Sequence, residues 1–156
     1  MNFTRNPVVF LATGAYIGFV PKAPGTAGSL WGLPLAWILS RIPFPEAILW
    51  TLLFALITVL VSGSAEKYFE KKDPGCIVID EILGLVVGLL GLPFNAFTAI
   101  SGFVLFRLFD IFKPFPVRWF QNHFNGGWGI ALDDVAAGIY TNILLNVILH
   151  LHILKD

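Results

Sequence analysis

Residues 76–92 read C-I-V-I-D-E-I-L-G-L-V-V-G-L-L-G-L, an apolar run with two adjacent carboxylates, Asp80 and Glu81, near its start. An ionised aspartate at the centre of a bilayer costs roughly 2.5–3.5 kcal/mol on insertion scales, so acids inside such a run mark a functional site by default. Asp110 and the pair Asp133 and Asp134 also sit in or beside apolar runs. The expectation is that three helices bring these five carboxylates to one membrane face, where they hold a divalent cation.

The totals around this stretch fit that reading. Of 156 residues, 56% are hydrophobic and only 13% charged. A soluble domain carries roughly 25% charged residues. The chain therefore reads as a single integral-membrane domain over residues 1–156. Its net charge of zero offers nothing to a nucleic acid, and nothing implies a protein partner. One cysteine, Cys76, excludes an internal disulfide and a multi-cysteine metal site. Ile82 stands where a Cys-x5-Arg phosphatase needs its arginine, so Cys76 reads as a small apolar residue at a helix start.

Outward from residues 76–92, hydropathy predicts an all-α polytopic bundle of about five spans. Residues 7–20 are too few for the ~20-residue hydrocarbon core and read as a half-span or interfacial helix. Arg5 precedes them, but no small-residue cleavage site follows, so a signal peptide is not expected. The stretch P-K-A-P-G-T-A-G-S (21–29) reads as an irregular turn into a helix, with Thr26 and Ser29 as caps. Apolar runs follow at 30–39, 46–65, 76–92, 96–112 and 129–153. The charged stretch 66–75 and the aromatic-rich stretch 113–128 read as wet loops.

Those two loops carry Lys67, Lys71, Lys72, Lys113 and Arg118, while the other side shows only Arg41 and Lys155. Short loops rich in Lys and Arg stay cytoplasmic, which orients the chain and brings Lys22 to the same side. At ~1.5 Å per helical residue, all five acids then lie at one depth just under the cytoplasmic surface. Residues four apart share a helix face, so Asp80, Gly84 and Gly88, continuing to Gly91, form one stripe. Asp134, Gly138, Asn142 and Asn146 form another. Small residues at that spacing let helices approach closely, which turns Asp80 and Asp134 into the bundle.

Three readings of the charges remain open from the residues alone. Arg107 and Lys113 could simply tie helices together by pairing with acids. The acids could line an ion or proton pathway, as in a small coupled transporter, although such a path needs polar groups at several depths. Or the excess of acids over bases holds a hard cation such as Mg²⁺, which prefers oxygen ligands together with substrate phosphate. Arg107, Lys113, Arg118 and Lys22 near that face suit a phosphate-bearing ligand. His123 could shuttle a proton but reads more simply as a solvated loop residue, and His150 and His152 as interfacial ones.

Four blocks carry a resemblance: P-G-T-A-G-S (24–29), I-D-E-I-L-G (79–84), F-R-L-F-D-I-F-K-P-F-P (106–116) and N-G-G-W-G-I-A-L-D-D-V-A-A-G (125–138). Together they resemble the phosphatidylglycerophosphatase A family. The resemblance implies a bacterial inner-membrane, Mg²⁺-dependent lipid phosphatase with its active site at the cytoplasmic face. Its substrate would be phosphatidylglycerol phosphate, converted to phosphatidylglycerol. The family's acidic and basic motif positions fall on Asp80, Glu81, Arg107, Asp110, Lys113, Asp133 and Asp134. The expected metal ligands are Asp80, Glu81, Asp110 and Asp134, with Arg107, Lys113, Arg118, Thr26 and Ser29 toward the substrate. Metal-assisted attack by water is the expected mechanism, with an aspartyl-phosphate intermediate as its alternative.

Overall fold

The computed structural model describes residues 6–153, the side chains of Asn122, His152 and Ile153 excepted. Arg5 and Lys155, both used in reading the sequence, lie outside the described residues, as does the His152 side chain. The helices in chain order are α1 (Pro7–Ala12), α2 (Pro24–Leu39), α3 (Phe44–Phe69), α4 (Ile79–Leu89), α5 (Ala96–Phe112), α6 (Val117–His123) and α7 (Gly127–Ile153). A single 3-10 turn lies at Ile17–Phe19, and no strand occurs among the described residues.

Helix α4 is the axis of the bundle. Nine of its residues are buried, and α2, α3, α5 and α7 all pack against it. It has 11 residues rather than the whole of 76–92, so it is only ~16 Å long. Tertiary contacts set both ends. At the start, Val78 leaves the helical region (φ −137°) and its N–H donates to the Ala12 carbonyl at 2.9 Å. At the finish, Leu90 turns extended, which strands the last carbonyls. Asn142 Nδ2 of α7 donates among the carbonyls of Val87, Gly88 and Leu90, at 3.3, 3.2 and 2.9 Å, the Val87 carbonyl also accepting from the Leu90 N–H.

The contact between α4 and α7 is a close one between small residues. A Cβ on Gly84 would stand 2.8 Å from the Asp134 carbonyl oxygen and press into the Phe106 ring. A Cβ on Gly138 would strike the Gly84 carbonyl, and one on Gly88 would meet Thr141 Cγ2 at 3.1 Å. The small-residue stripes below Asp80 and Asp134 therefore face one another. Gly91 falls outside this stripe, because the helix has already ended, and it turns the chain at φ +75°.

Helix α3 is built the opposite way from a helix in water. Its buried residues are small or hydroxylated: Ala47, Thr51, Thr58, Ser62 and Ala65. Leu49, Trp50, Leu52, Leu56, Ile57 and Leu60 stand exposed on its outer face. A contiguous apolar surface of this kind is solvated by hydrocarbon or covered by a partner. By length and composition, α3 and residues Gly127–Leu151 of α7 are the two helices long and apolar enough to cross a membrane. That is fewer than the five spans expected. Helices α2 and α5, at 16 and 17 residues, rise only ~24–26 Å. Helix α4 is enclosed by protein, so hydrocarbon thickness does not govern its length.

The irregular backbone lies at 13–23, not at 21–29. Gly14, Ala15, Tyr16 and Ala23 all have positive φ, and α2 then begins at Pro24, the first helical position that a proline favours. The Trp31 indole donates to the Gly14 carbonyl at 3.1 Å, and the Thr13 hydroxyl accepts from Tyr16 N–H at 3.1 Å, so this stretch is pinned by its neighbours. Helix α1 has six residues, too few to span, as residues 7–20 suggested. The stretch 113–128 is not wholly a loop, since α6 forms within it. The two charged connections share an end of the bundle, where Gln121 donates to Asp73 at 3.4 Å.

Candidate active site

Asp80 and Glu81 stand in the first turn of α4, one turn nearer the helix start than the sequence suggested. Unbonded N–H groups there favour negative charge. Asp134 comes in from α7, nearly two turns from its start, across the glycine contact described above. One oxygen from each of Asp80, Glu81 and Asp134 lies within 4.8 Å of the other two. Asp80 is 6% exposed, Asp133 5% and Asp134 4%.

Asp80 Oδ1, Glu81 Oε2, Asp133 Oδ1 and Asp134 Oδ1 are buried with no hydrogen-bond partner in the protein. Buried polar atoms are normally paired, and an ionised carboxylate left alone costs several kcal/mol. A cluster of orphaned carboxylate oxygens is thus the donor set that a hard, oxygen-seeking cation completes. Asp80, Glu81 and Asp134 could hold such an ion. Asp110 is not in that group. Its carboxylate is paired with Arg107 at 2.7 Å, one turn away on α5.

The basic residues divide in the same way. Lys113, at the end of α5, is ion-paired with Asp133 Oδ2 on α7. Burial works against the ammonium, but Asp133, backed by Asp134 and Asp110, outweighs it and holds the Lys113 pKa above the ordinary lysine value. Arg107 Nη1 also donates to the Ser29 hydroxyl at 3.3 Å, while Arg107 Nε is buried and unpartnered. An ion pair within α5, a hydrogen bond to α2 and one unused donor, Nε, therefore coexist at Arg107.

Ser29 and Thr26 are not caps. Ala23 holds the N-cap position of α2 and makes no side-chain bond. Ser29 instead bridges, donating to the Gly25 carbonyl at 2.7 Å while accepting from Arg107. Thr26 lies partly buried in the first turn of α2, and Lys22 is exposed just before it. Arg118 is exposed on α6. His123 is exposed too, stacked on Trp119 with ring centroids 4.4 Å apart. Burial raises the Cys76 thiol pKa, which keeps it a poor nucleophile.

Gly25 is the residue whose importance was hidden in the sequence, where it served only to mark a turn. A Cβ there would run into Glu81 Oε1 and stand 3.2 Å from Arg107 Nη1, so the start of α2 closes over the site. Nothing but the P-G-T-A-G-S block hinted at it. Among the described residues, the buried acids all lie near one end of the bundle, with no series of titratable groups continuing through it. A relay for ions or protons lacks its further steps.

Residues 10–149 match the family model described as Phosphatidylglycerophosphatase A. The chain is 37% identical to phosphatidylglycerophosphatase A of Escherichia coli, over 93% of this chain and 85% of the relative. It is 38% identical to the protein of that name from Haemophilus influenzae, over 90% and 87%. A Bacteroides thetaiotaomicron relative with the provisional name phosphatidylinositol-3-phosphatase is 40% identical over 89% and 91%. No solved structure matches significantly. A family match across nearly the whole chain, spanning every acid and base of this site, means that the chain belongs to the phosphatidylglycerophosphatase A family of phosphatases.

Proposed function

We propose that this protein hydrolyses the terminal phosphate of phosphatidylglycerol phosphate, giving phosphatidylglycerol, with Mg²⁺ held by Asp80, Glu81 and Asp134. The observation that carries this is the group of three carboxylates within 4.8 Å, each with an orphaned buried oxygen. The relatives' names support a phosphate monoester on a lipid head group as the substrate class. The exposed apolar face of α3 and a second helix long enough to cross, α7, support a multi-pass place in a membrane, and the relatives' bacterial sources support the inner membrane of a bacterium. Lysines in the connection after α3 support a cytoplasmic site.

Each group then has a task. A bound divalent cation would polarise the phosphate and acidify a water molecule. Arg107, with Nε unused, donates to phosphoryl oxygens as charge develops on them. At Gly25 the start of α2 comes against Glu81 and Arg107, and the first turn of a helix suits an anion held there. Asp133 keeps Oδ1 unpartnered while Lys113 holds Oδ2, so it accepts the proton of the attacking water. The water oxygen joins phosphorus, the bond from phosphorus to the glycerol oxygen breaks, and that oxygen takes a proton from solvent.

Purified protein in detergent should release phosphate from phosphatidylglycerol phosphate when Mg²⁺ is present. Asp134→Asn should fold, eluting as wild type does, yet lose at least about 10²-fold in rate. Wild-type protein that releases no phosphate from this lipid would overturn the reading.

A further inference from the structure

Beside the acid cluster, a groove of about 410 Å³ runs between the end of α5 and α6, lined by Phe112, Lys113, Phe115, Arg118, Trp119 and His123. Lys113 belongs to both places, since its ammonium pairs with Asp133 while its side chain walls the groove. No carboxylate lines this groove, and among the described residues Arg118 has no acidic partner. His123 Nδ1 is bonded to the Trp119 carbonyl at 2.9 Å. A carbonyl only accepts, so Nδ1 carries the proton. Phe112 and Phe115, at 70% and 79% exposed, stand at its rim.

We infer that this groove binds the second phosphate of the substrate, the diester that joins its glycerol head to the diacylglycerol, with Arg118 as the principal contact. The inference rests on the lipid-phosphatase reading above and deepens it. Phosphatidylglycerol phosphate carries two phosphates separated by a three-carbon glycerol. With the terminal one at Arg107 and the acids, the diester must lie a short way off, toward the acyl chains. The groove offers cations for the diester and exposed aromatic side chains where the chains enter the bilayer. The other groove at this end, about 330 Å³, is lined by Glu66 and Asp73 as well as Lys72, and two carboxylates repel a phosphate. Arg118 is thus a specificity residue. It distinguishes a lipid with a diester phosphate from one whose only phosphate is the monoester.

The test compares wild type, Arg118→Gln and Arg118→Lys in mixed micelles on phosphatidylglycerol phosphate and on phosphatidic acid, which lacks the diester. Arg118→Gln should raise KM for the first lipid roughly tenfold or more, with a smaller change in kcat. The preference for it over phosphatidic acid should fall by a similar factor, and Arg118→Lys should recover part of the loss. Phosphatidylglycerol, which keeps only the diester, should inhibit wild type competitively and Arg118→Gln roughly tenfold more weakly. This arm decides the matter where phosphatidic acid turns over too slowly to measure. Unchanged preference and unchanged inhibition in Arg118→Gln would overturn the inference while leaving the phosphatase reading standing. Wild-type protein inactive on both lipids would overturn the two together.

Discussion

Lys113 and Asp133 are ion-paired across the gap between the end of α5 and the second turn of α7, twenty residues apart in the chain. The pair ties the helix that carries Arg107 and Asp110 to the helix that carries Asp134. It leaves the second oxygen of Asp133 unpartnered. Structure and chemistry therefore meet in one contact.

Removing the cation should cost both. Lys113→Met strands a carboxylate that is 6% exposed, and breaking a buried pair costs ~3–5 kcal/mol. The lysine side chain is 21% exposed, which places the loss toward the lower end. The Lys113 pKa is raised in the fold, so its stabilisation is complete below the unfolded lysine value of ~10.4 and fades as pH rises through the folded one. Melting temperatures of wild type and Lys113→Met should thus differ by a constant amount between about pH 7 and 9 and converge above about 10.5. A gap that closes already near neutrality would mean that the pair is not what separates them.

Gly25 should behave differently from a packing residue. In Gly25→Ala the new methyl meets the far ends of Glu81 and Arg107, which can swing aside, so stability should change by less than about 1 kcal/mol. Displacing those ends spoils the site, and turnover should fall by about 10²-fold. Melting and phosphate release measured on the same preparation separate these effects. A large loss of stability with normal specific activity would refute them.

Gly138→Val reports on the helix contact instead. Its side chain would collide with the Gly84 carbonyl and Val87, backbone and branched carbon that cannot yield cheaply. Overpacking of this kind costs ~1–3 kcal/mol. Because Asp80 and Asp134 sit at the end of the same contact, activity should fall with stability. Thermal unfolding in detergent checks the first, phosphate release the second.

Arg107 answers two demands that one substitution cannot separate. Arg107→Ala frees Asp110, which is 14% exposed, and should destabilise the fold; adding Asp110→Asn should recover the melting temperature. Turnover should stay roughly 10²–10³-fold down in the double variant, because the phosphate still lacks its donor. Recovery of activity along with stability would reduce Arg107 to a helix tie.

Much of this site could be read from spacing. The glycines four and eight residues after Asp80, and the one four after Asp134, turned both acids toward one contact before any helix was placed. Helix ends were harder. Residues 76–78 and 90–92 are as apolar as α4 itself, and what stops the helix is the Ala12 carbonyl at one end and Asn142 at the other. Local sequence holds no trace of partners more than fifty residues away. Spans are hard to count for a related reason: hydropathy reports that α4 avoids water, and a sheath of protein satisfies it as well as lipid does. Arg107 shows the limit most clearly. Its spacing to Asp110 was visible, but its contact with Ser29, 78 residues earlier, was not.

The most direct measurement is phosphate release from phosphatidylglycerol phosphate by protein stripped with EDTA and then titrated with Mg²⁺, alongside Mn²⁺ binding followed by electron paramagnetic resonance. Stripped wild type should be inactive and recover with Mg²⁺, and Asp80→Asn or Asp134→Asn should bind Mn²⁺ at least about tenfold more weakly. Full activity in EDTA, or Mn²⁺ binding that ignores both substitutions, would contradict a cation held by Asp80, Glu81 and Asp134.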